Sequence, residues 1–524
     1  MKSLLVFLMM GACAVGLSAA TLPEASASAG AKSVKTEAKK GKANAATKKN
    51  QRVKPVSQPV REFRGAWMHT VFQSQYSRQS TAENKAYLCR QLDSLRLCGC
   101  NAIVFQVRPQ ADALYPSQLE PWSRHLTGTA GVAPSPMWDP LKFMVDEAHA
   151  RGMELHAWLN PYRVTTSPGE VLPKGHIYHR HPERFLEYDG KLYFDPALAE
   201  NREFIVSVVD DIVSRYDVDA IHMDDYFYPY PKKGVDFPDD ASYAKTGNGM
   251  DRGDWRRQNV NMLIEEIHRA IVKRKPWVRF GISPFGIWRN KKSDPRGSDT
   301  NGLENYDGLY ADVLLWTEKG WVDYMLPQLY WELEHSAASS EKLAYWWNDN
   351  ANGRHMYFGQ AVRKTMDKHD TGKSSDPNQL AHKILLSREL KNVQGNCWWP
   401  AYDVTKNYRG VADSLALKEQ SEIALVPSYP WIDNVAPDAV GELKASATKR
   451  NVTLRWKAPS TDDPMQVARF FVIYRDSKIV GVTDATSYID SNVSPGTHTY
   501  AVSVLDRTNN ESPLTSQKIT VKRQ

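Results

Sequence analysis

Cysteine is scarce in this chain, with five among 524 residues. Cys13 falls in the apolar N-terminus. The other four, Cys89, Cys98, Cys100 and Cys397, lack the spacing of a disulfide framework or a thiolate metal site. They are expected as buried thiols, with one disulfide as the alternative in an oxidising compartment. Several catalytic signatures are also missing. There is no Gly-rich dinucleotide fingerprint, no phosphate loop, no G-x-S-x-G elbow and no compact H-E-x-x-H or H-x-x-E-H pair. Nucleotide-dependent and serine-hydrolase chemistries are left without support. Excess charge is missing from the body of the chain. Residues 21–60 hold nine Lys or Arg against two Glu, which equals the whole formal +7; with Lys2 counted, residues 61–524 stand near −1. The folded part therefore offers no case for a nucleic-acid groove.

The first twenty residues, "MKSLLVFLMMGACAVGLSAA", run from one Lys through a short apolar core to small residues. That order reads as a secretory signal peptide over 1–20 and implies export, to the periplasm or the outer membrane. "SAA" fits ordinary cleavage, while "MGAC" offers lipid attachment through Cys13 as the alternative, and with it membrane association. Residues 21–60 are rich in Ala, Lys, Ser and Thr and are expected as a disordered basic linker.

From 61 to 425, short apolar runs alternate with longer helical ones. Strands are expected at 63–70, 102–109, 153–162, 220–227, 277–286, 322–331, 355–362 and 395–402, each followed by a helix. Near-continuous apolar strands are buried on both faces. Eight such units predict an α/β fold, a (β/α)8 TIM barrel. An open doubly wound sheet is the alternative, but "RGAWMHT" supplies no Gly-rich first turn. After a linker at 426–433, residues 434–524 alternate without helices and predict a small all-β immunoglobulin-like sandwich. Trp456, Phe470 and Tyr474 are expected to fill its core.

The chain is rich in rings, with 16 Trp and 24 Tyr. Rings, amides and charges gather where the barrel strands should end, which is where such barrels bind ligands. That mixture suits a polyhydroxylated glycan, because sugar faces stack on rings and hydroxyls need two-way partners. The candidate binding residues are Trp67, His69, Gln106, Arg108, Asp112, His156, Asn160, Tyr162, His222, Tyr226, Gln328, Tyr330, Gln360 and Trp399. Trp158 and Trp398 read as packing residues. In "AIHMDDYFYPY", at 220–230, Asp224 and Asp225 stand at the end of an apolar strand. An unpaired carboxylate is costly there, which marks it as functional. Alternation places the two on different sides. Glycosidic cleavage needs two carboxyls, and Glu332 is the first choice of partner, ahead of Asp112 and Glu334. No cofactor is expected. Three alternatives stay open: another polysaccharide as substrate, a metal-assisted deacetylase or hydrolase using His69, His156, His222 and the Asp pair, and a noncatalytic glycan binder.

"REFRGAWMHT", "NAIVFQVRPQADALYPS", "AWLNPYRV", "AIHMDDYFYPYP", "GISPFGIWRN" and "LPQLYW" occur in the order of the glycosyl hydrolase-like family 10 barrel, which residues 61–425 resemble. The tail is similar to a fibronectin type III module. The resemblance implies a bacterial envelope glycoside hydrolase whose family includes a divisome-associated enzyme acting on peptidoglycan strands stripped of stem peptides. It also places Asp224 and Asp225 in the family motif. The seventh strand offers Gln360 where many barrel hydrolases carry Glu.

Overall fold

The computed structural model describes residues 60–367, 376 and 378–523. The signal peptide expected over 1–20 lies outside the described residues, as does the expected linker up to its last position. Eight parallel strands close into a barrel. They are β1 (Phe63–Met68), β2 (Ala102–Arg108), β3 (Glu154–Leu159), β4 (Ala220–Met223), β5 (Arg279–Ile282), β6 (Tyr324–Met325), β7 (His355–Ala361) and β8 (Val393–Trp399). Each pairs with its sequence neighbours, and β1 closes on β8 through Phe63 opposite Gly395. The strands are apolar throughout because helices cover their outer faces and side chains fill the inside.

The outer helices include α1 (Thr81–Leu97), α2 (Pro140–His149), α3 (Ala199–Arg215), α4 (Arg252–Arg274), α5 (Val313–Glu318), α6 (Ser340–Asp349), α7 (Gln379–Glu389) and the short α8 (Val411–Ser414). Local signals set their starts. Ser80 and Glu83 form a reciprocal capping box at α1, and Asp139 caps α2 just before Pro140. Leu88, Leu92 and Leu95 give α1 one buried face against the barrel. Glu62 N–H donates to Leu425 O at 2.9 Å, so the two ends of the 61–425 region meet beneath the barrel.

The strands are shorter than the apolar runs. β4 stops at Met223 and β6 holds two residues, because Asp225, Pro327 and the turns beyond them leave ladder geometry. The four described cysteines are free thiols.

The C-terminal region is an antiparallel sandwich. One sheet joins β9 (Gly441–Thr448), β10 (Asn451–Lys457) and β13 (Ser487–Asp490). The other orders β12 (Lys478–Thr483), β11 (Phe470–Arg475), β14 (Gly496–Leu505) and β15 (Thr515–Val521). Trp456 and Phe471 pack between the sheets, 5.3 Å apart. Phe470 and Tyr474 lie instead on the outer face of the second sheet, clustered with Leu425. Alternation along β11 explains the difference: Phe471 takes the inner face, so its neighbour takes the outer one.

That outer face docks on the N-terminal ends of the barrel strands. Arg469 reaches Asp219 at 2.9 Å and Asp217 at 2.8 Å, and Asn509 donates to Glu154 at 2.8 Å. The expected 426–433 linker is not a free tether. Tyr429 is fully buried and bonds Tyr357 at 2.7 Å, while Trp431 donates to Asp323 at 2.9 Å.

Candidate active site

At the opposite end of the barrel the strands open onto a cavity of about 340 Å³. β1 delivers Trp67 and, just beyond it, His69, Val71 and Phe72. Gln106 comes from β2, and Trp158 from β3 with Arg163 after it. The residues after β4 are Asp224, Asp225 and Tyr226. Ser283 follows β5, Gln328 and Tyr330 follow β6, and Trp399 ends β8. Two glycines make this crowding feasible. A Cβ on Gly359 of β7 would stand 2.8 Å from the Trp67 ring, and one on Gly281 would fall 1.9 Å from the Tyr324 ring.

Both carboxylates of the Asp pair face this one cavity. The strand has ended at Met223, so alternation no longer separates them. Asp224 accepts from Trp158 Nε1 and from Asn160 Nδ2, each at 3.1 Å. Asp225 accepts from the Tyr230 hydroxyl and from Gln328 Nε2, the latter at 3.1 Å. Of the aromatic run, Tyr226 and Tyr230 stay at the mouth, while Phe227 and Tyr228 are buried in the core. Three indoles close the other side. Trp158 and Trp67 both meet Trp399 edge to face, at 6.0 and 6.4 Å.

A model of the family described as "Glycosyl hydrolase-like 10" matches residues 62–374. The chain belongs to this family. It is 39% identical over 476 residues to "Glycosyl hydrolase YngK" of Bacillus subtilis (strain 168), covering 87% of this chain and 93% of that protein. It is 39% identical over 331 residues to "Glycosyl hydrolase DigH" of Escherichia coli (strain K12), covering 59% of this chain and 74% of that one. Among solved structures, the catalytic domain of a β-amylase from Paenibacillus polymyxa aligns with 69% of this chain and 99% of its own at 12% identity and a TM-score of 0.44.

This glycosyl hydrolase is a glycosidase, and the electrostatics of its Asp pair suit acid–base work. Burial pushes the Asp224 carboxyl up to about 7, and Asp225 adds to the rise, while Arg163 opposes it. Burial also raises Asp225, against the bonds from Tyr230 and Gln328. A carboxyl held at about 7 can take up and release a proton near neutral pH, as acid–base work requires. Arg163 is anchored by Pro109 O at 2.7 Å and lies 4.9 Å over the Tyr226 ring. Burial lowers His69 to about 4, so the ring at the mouth is neutral.

Several expected site residues are placed elsewhere. Arg108 is turned away by a bulge: Gln106 lies opposite Trp158, but Arg108 lies opposite Leu159, so one extra residue rotates it outward. There it grips Glu120 at 2.7 and 2.5 Å and donates to the Asn160 and Pro161 carbonyls. Asp112 sits in the loop that folds back under β2, where burial raises it to about 7. Tyr162 is fully buried in the outer core. Gln360 faces outward and bonds Asn396 at 3.1 Å, because Gly359 takes the inward position of β7. Glu332 lies beyond the end of β6 beside α7, where its charge acts on buried Lys383. Asn160 lies outside the lining but holds Asp224.

His156 and His222 point inward but too deep. The Trp67 indole can only donate, so His222 Nε2 accepts from it at 3.2 Å, and His222 Nδ1–H donates to Tyr324 at 3.0 Å. The Tyr324 hydroxyl then donates to His156 Nδ1 at 2.8 Å, and His156 Nε2–H donates to Glu154 at 3.0 Å. This column runs down the barrel axis beneath the cavity floor. The histidines and aspartates of the metal alternative are thus dispersed, and among the described residues no group of three or more His, Cys, Asp or Glu could hold a metal ion.

Five lining residues lie outside the candidates expected from the sequence: Val71, Phe72, Trp158, Arg163 and Ser283. Trp158 had read as packing. Val71, Phe72 and Arg163 lie in loops just past strand ends, where period-two alternation carries no signal. Phe72 has a φ of 58° and a largely exposed ring, a conformation uncommon for a bulky residue.

Proposed function

We propose that this glycosidase cuts the glycan strands of peptidoglycan after their stem peptides have been removed, in the envelope of the cell that exports it. Asp224 and Asp225 supply the carboxyl chemistry, and the tryptophans with Tyr226 and Tyr330 seat the sugar rings. The observation that carries the reading is one cavity in which two consecutive buried carboxyls meet a wall of indoles. The choice of peptidoglycan draws further support from the order of family phrases along residues 61–425 and from the secretory character of residues 1–20.

Product analysis by mass spectrometry tests it. The purified chain is incubated with intact peptidoglycan, with amidase-treated denuded strands and with neutral polysaccharides, and Asp224→Asn serves as control. Fragments from denuded strands alone are expected. Cleavage confined to neutral polysaccharides would move the substrate to that class. Binding to strands without fragments would overturn the hydrolytic reading of the site.

A further inference from the structure

The present inference rests on that glycosidase reading and narrows its chemistry. Cleavage by two flanking carboxyls places one group on each side of the scissile bond. Asp224 and Asp225 are consecutive and share the wall that follows β4. Beside Asp224 stands the corner made by Trp67, Trp158 and Trp399, with interplanar angles of 75° and 78° at Trp399. The Trp158 N–H is bonded to Asp224 itself at 3.1 Å. An apolar corner ending at a carboxylate oxygen fits a small group that has a methyl at one end and an N–H next to it. Asp224 accepts three N–H groups, from Trp158, Asn160 and the Tyr226 backbone. An ionised carboxylate has about four acceptor sites, so one remains for a ligand.

We propose that this corner is the subsite for the acetamido group of a 2-acetamido-2-deoxy sugar, and that the acetamido oxygen, rather than a protein carboxylate, attacks the anomeric carbon. Asp224 accepts the amide N–H and turns the carbonyl oxygen toward that carbon. A lone pair of this oxygen forms the new C–O bond as the glycosidic C–O bond breaks. The departing electron pair stays on the leaving oxygen, which takes the proton of Asp225. The positive charge of the cyclic intermediate lies beside ionised Asp224. Water then adds to the anomeric carbon and gives its proton to Asp225. The ring bond returns its pair to the acetamido oxygen, and the sum is one hydrolysis with retained configuration. Tyr230 and Gln328 hold Asp225 for both proton transfers.

Thiazoline analogues of N-acetylglucosamine and N-acetylmuramic acid copy the cyclic intermediate and serve as probes. Calorimetric titration of the full chain is expected to show at least one of them binding about 100-fold or more above its parent sugar, as intermediate mimics do. Asp224→Asn should lose most of that preference. Asp225→Asn should keep it within a few fold while losing turnover of denuded strands. Near-ultraviolet circular dichroism checks that both variants are folded. Proton NMR of the first product should show the retained anomer. Strand cleavage with no thiazoline preference, or with an inverted first product, would overturn this inference and leave the hydrolase reading standing. A thiazoline preference that depends on Asp224 in a protein that leaves denuded strands uncut would support the acetamido subsite and overturn the peptidoglycan assignment.

Discussion

Asp224→Asn should stabilise this enzyme while disabling it, and the size of the gain follows from the site. Burial holds the Asp224 carboxyl at about 7 against an ordinary 3.8. Each tenfold in a proton equilibrium is about 1.4 kcal/mol, so keeping Asp224 ionised above neutral pH costs the fold about 4 kcal/mol at most. The cavity opens to solvent and its walls relax, which lowers that figure. Trp158 and Asn160 donate to different oxygens of Asp224, one of which the amide replaces with NH2, and a lost hydrogen bond costs about 1 kcal/mol. The net gain comes to about 1–2 kcal/mol at pH 8. The sign is fixed by linkage. The folded value lies above the unfolded one, so the native state holds the proton more tightly. Its stability is full below pH 3.8 and declines as pH rises through 7. The advantage of the amide is therefore absent near pH 4 and complete at pH 8. Differential scanning calorimetry of both proteins from pH 4 to 8 measures it. A variant less stable than wild type at pH 8, or a difference that does not change with pH, would refute the reasoning.

Three other perturbations test other parts of the structure. Arg163→Gln removes the cation that opposes the rise of Asp224, so the pH profile of kcat/KM should move to higher pH by about one unit; a shift to lower pH would contradict the placement. Gly359→Ala pushes a methyl to 2.8 Å from the Trp67 ring, and it should lower kcat/KM on glycan strands by about tenfold or more while circular dichroism stays native. Arg469→Met leaves Asp219 and His149 without their guanidinium partner beneath the barrel. Breaking one side of a buried pair costs about 3–5 kcal/mol, so the thermal midpoint should fall by several degrees with kcat unchanged.

The barrel was legible because its strands are covered on both sides and read as unbroken apolar runs with helices between them. The site was legible only in part, since alternation tells which side chains face inward and not how deep they lie. Trp158 and His156 both point into the barrel from β3, yet Trp158 lines the cavity and His156 lies two residues below it, bonded to Glu154 and Tyr324. His222 stands two residues below Asp224 in the same way. Alternation also fails wherever the ladder is interrupted. The bulge at Val107 turns Arg108 outward, and the end of β4 at Met223 lets Asp225 face the same cavity as Asp224. Glu332 lies past a two-residue strand, where chain position no longer fixes direction. Short polar loops such as the one holding Arg163 carry function without periodic pattern.

The same limit explains why the sandwich reads as a separate module while the structure gives it a role in the barrel. The axial column that starts under Trp67 ends at Glu154, which accepts a hydrogen bond from His156 Nε2–H at 3.0 Å. Burial would raise Glu154, but Arg279 at 2.5 Å and the hydrogen bond from His156 together outweigh it, so Glu154 is held ionised. That pair sits at the base of the barrel, where its remaining polar groups need partners. They come from the sandwich: the Arg507 carbonyl accepts from Arg279 at 3.0 Å, and Asn509 donates to Glu154 at 2.8 Å. Tyr429, from the connecting segment, lies 5.0 Å from the Arg279 guanidinium. Shielding the base from water keeps the ion pair strong, and a strong ion pair fixes the histidine tautomers above it. Those tautomers hold the Trp67 indole in place through His222. The C-terminal module therefore closes the barrel at one end and, through a single file of hydrogen bonds, steadies an aromatic wall of the cavity at the other.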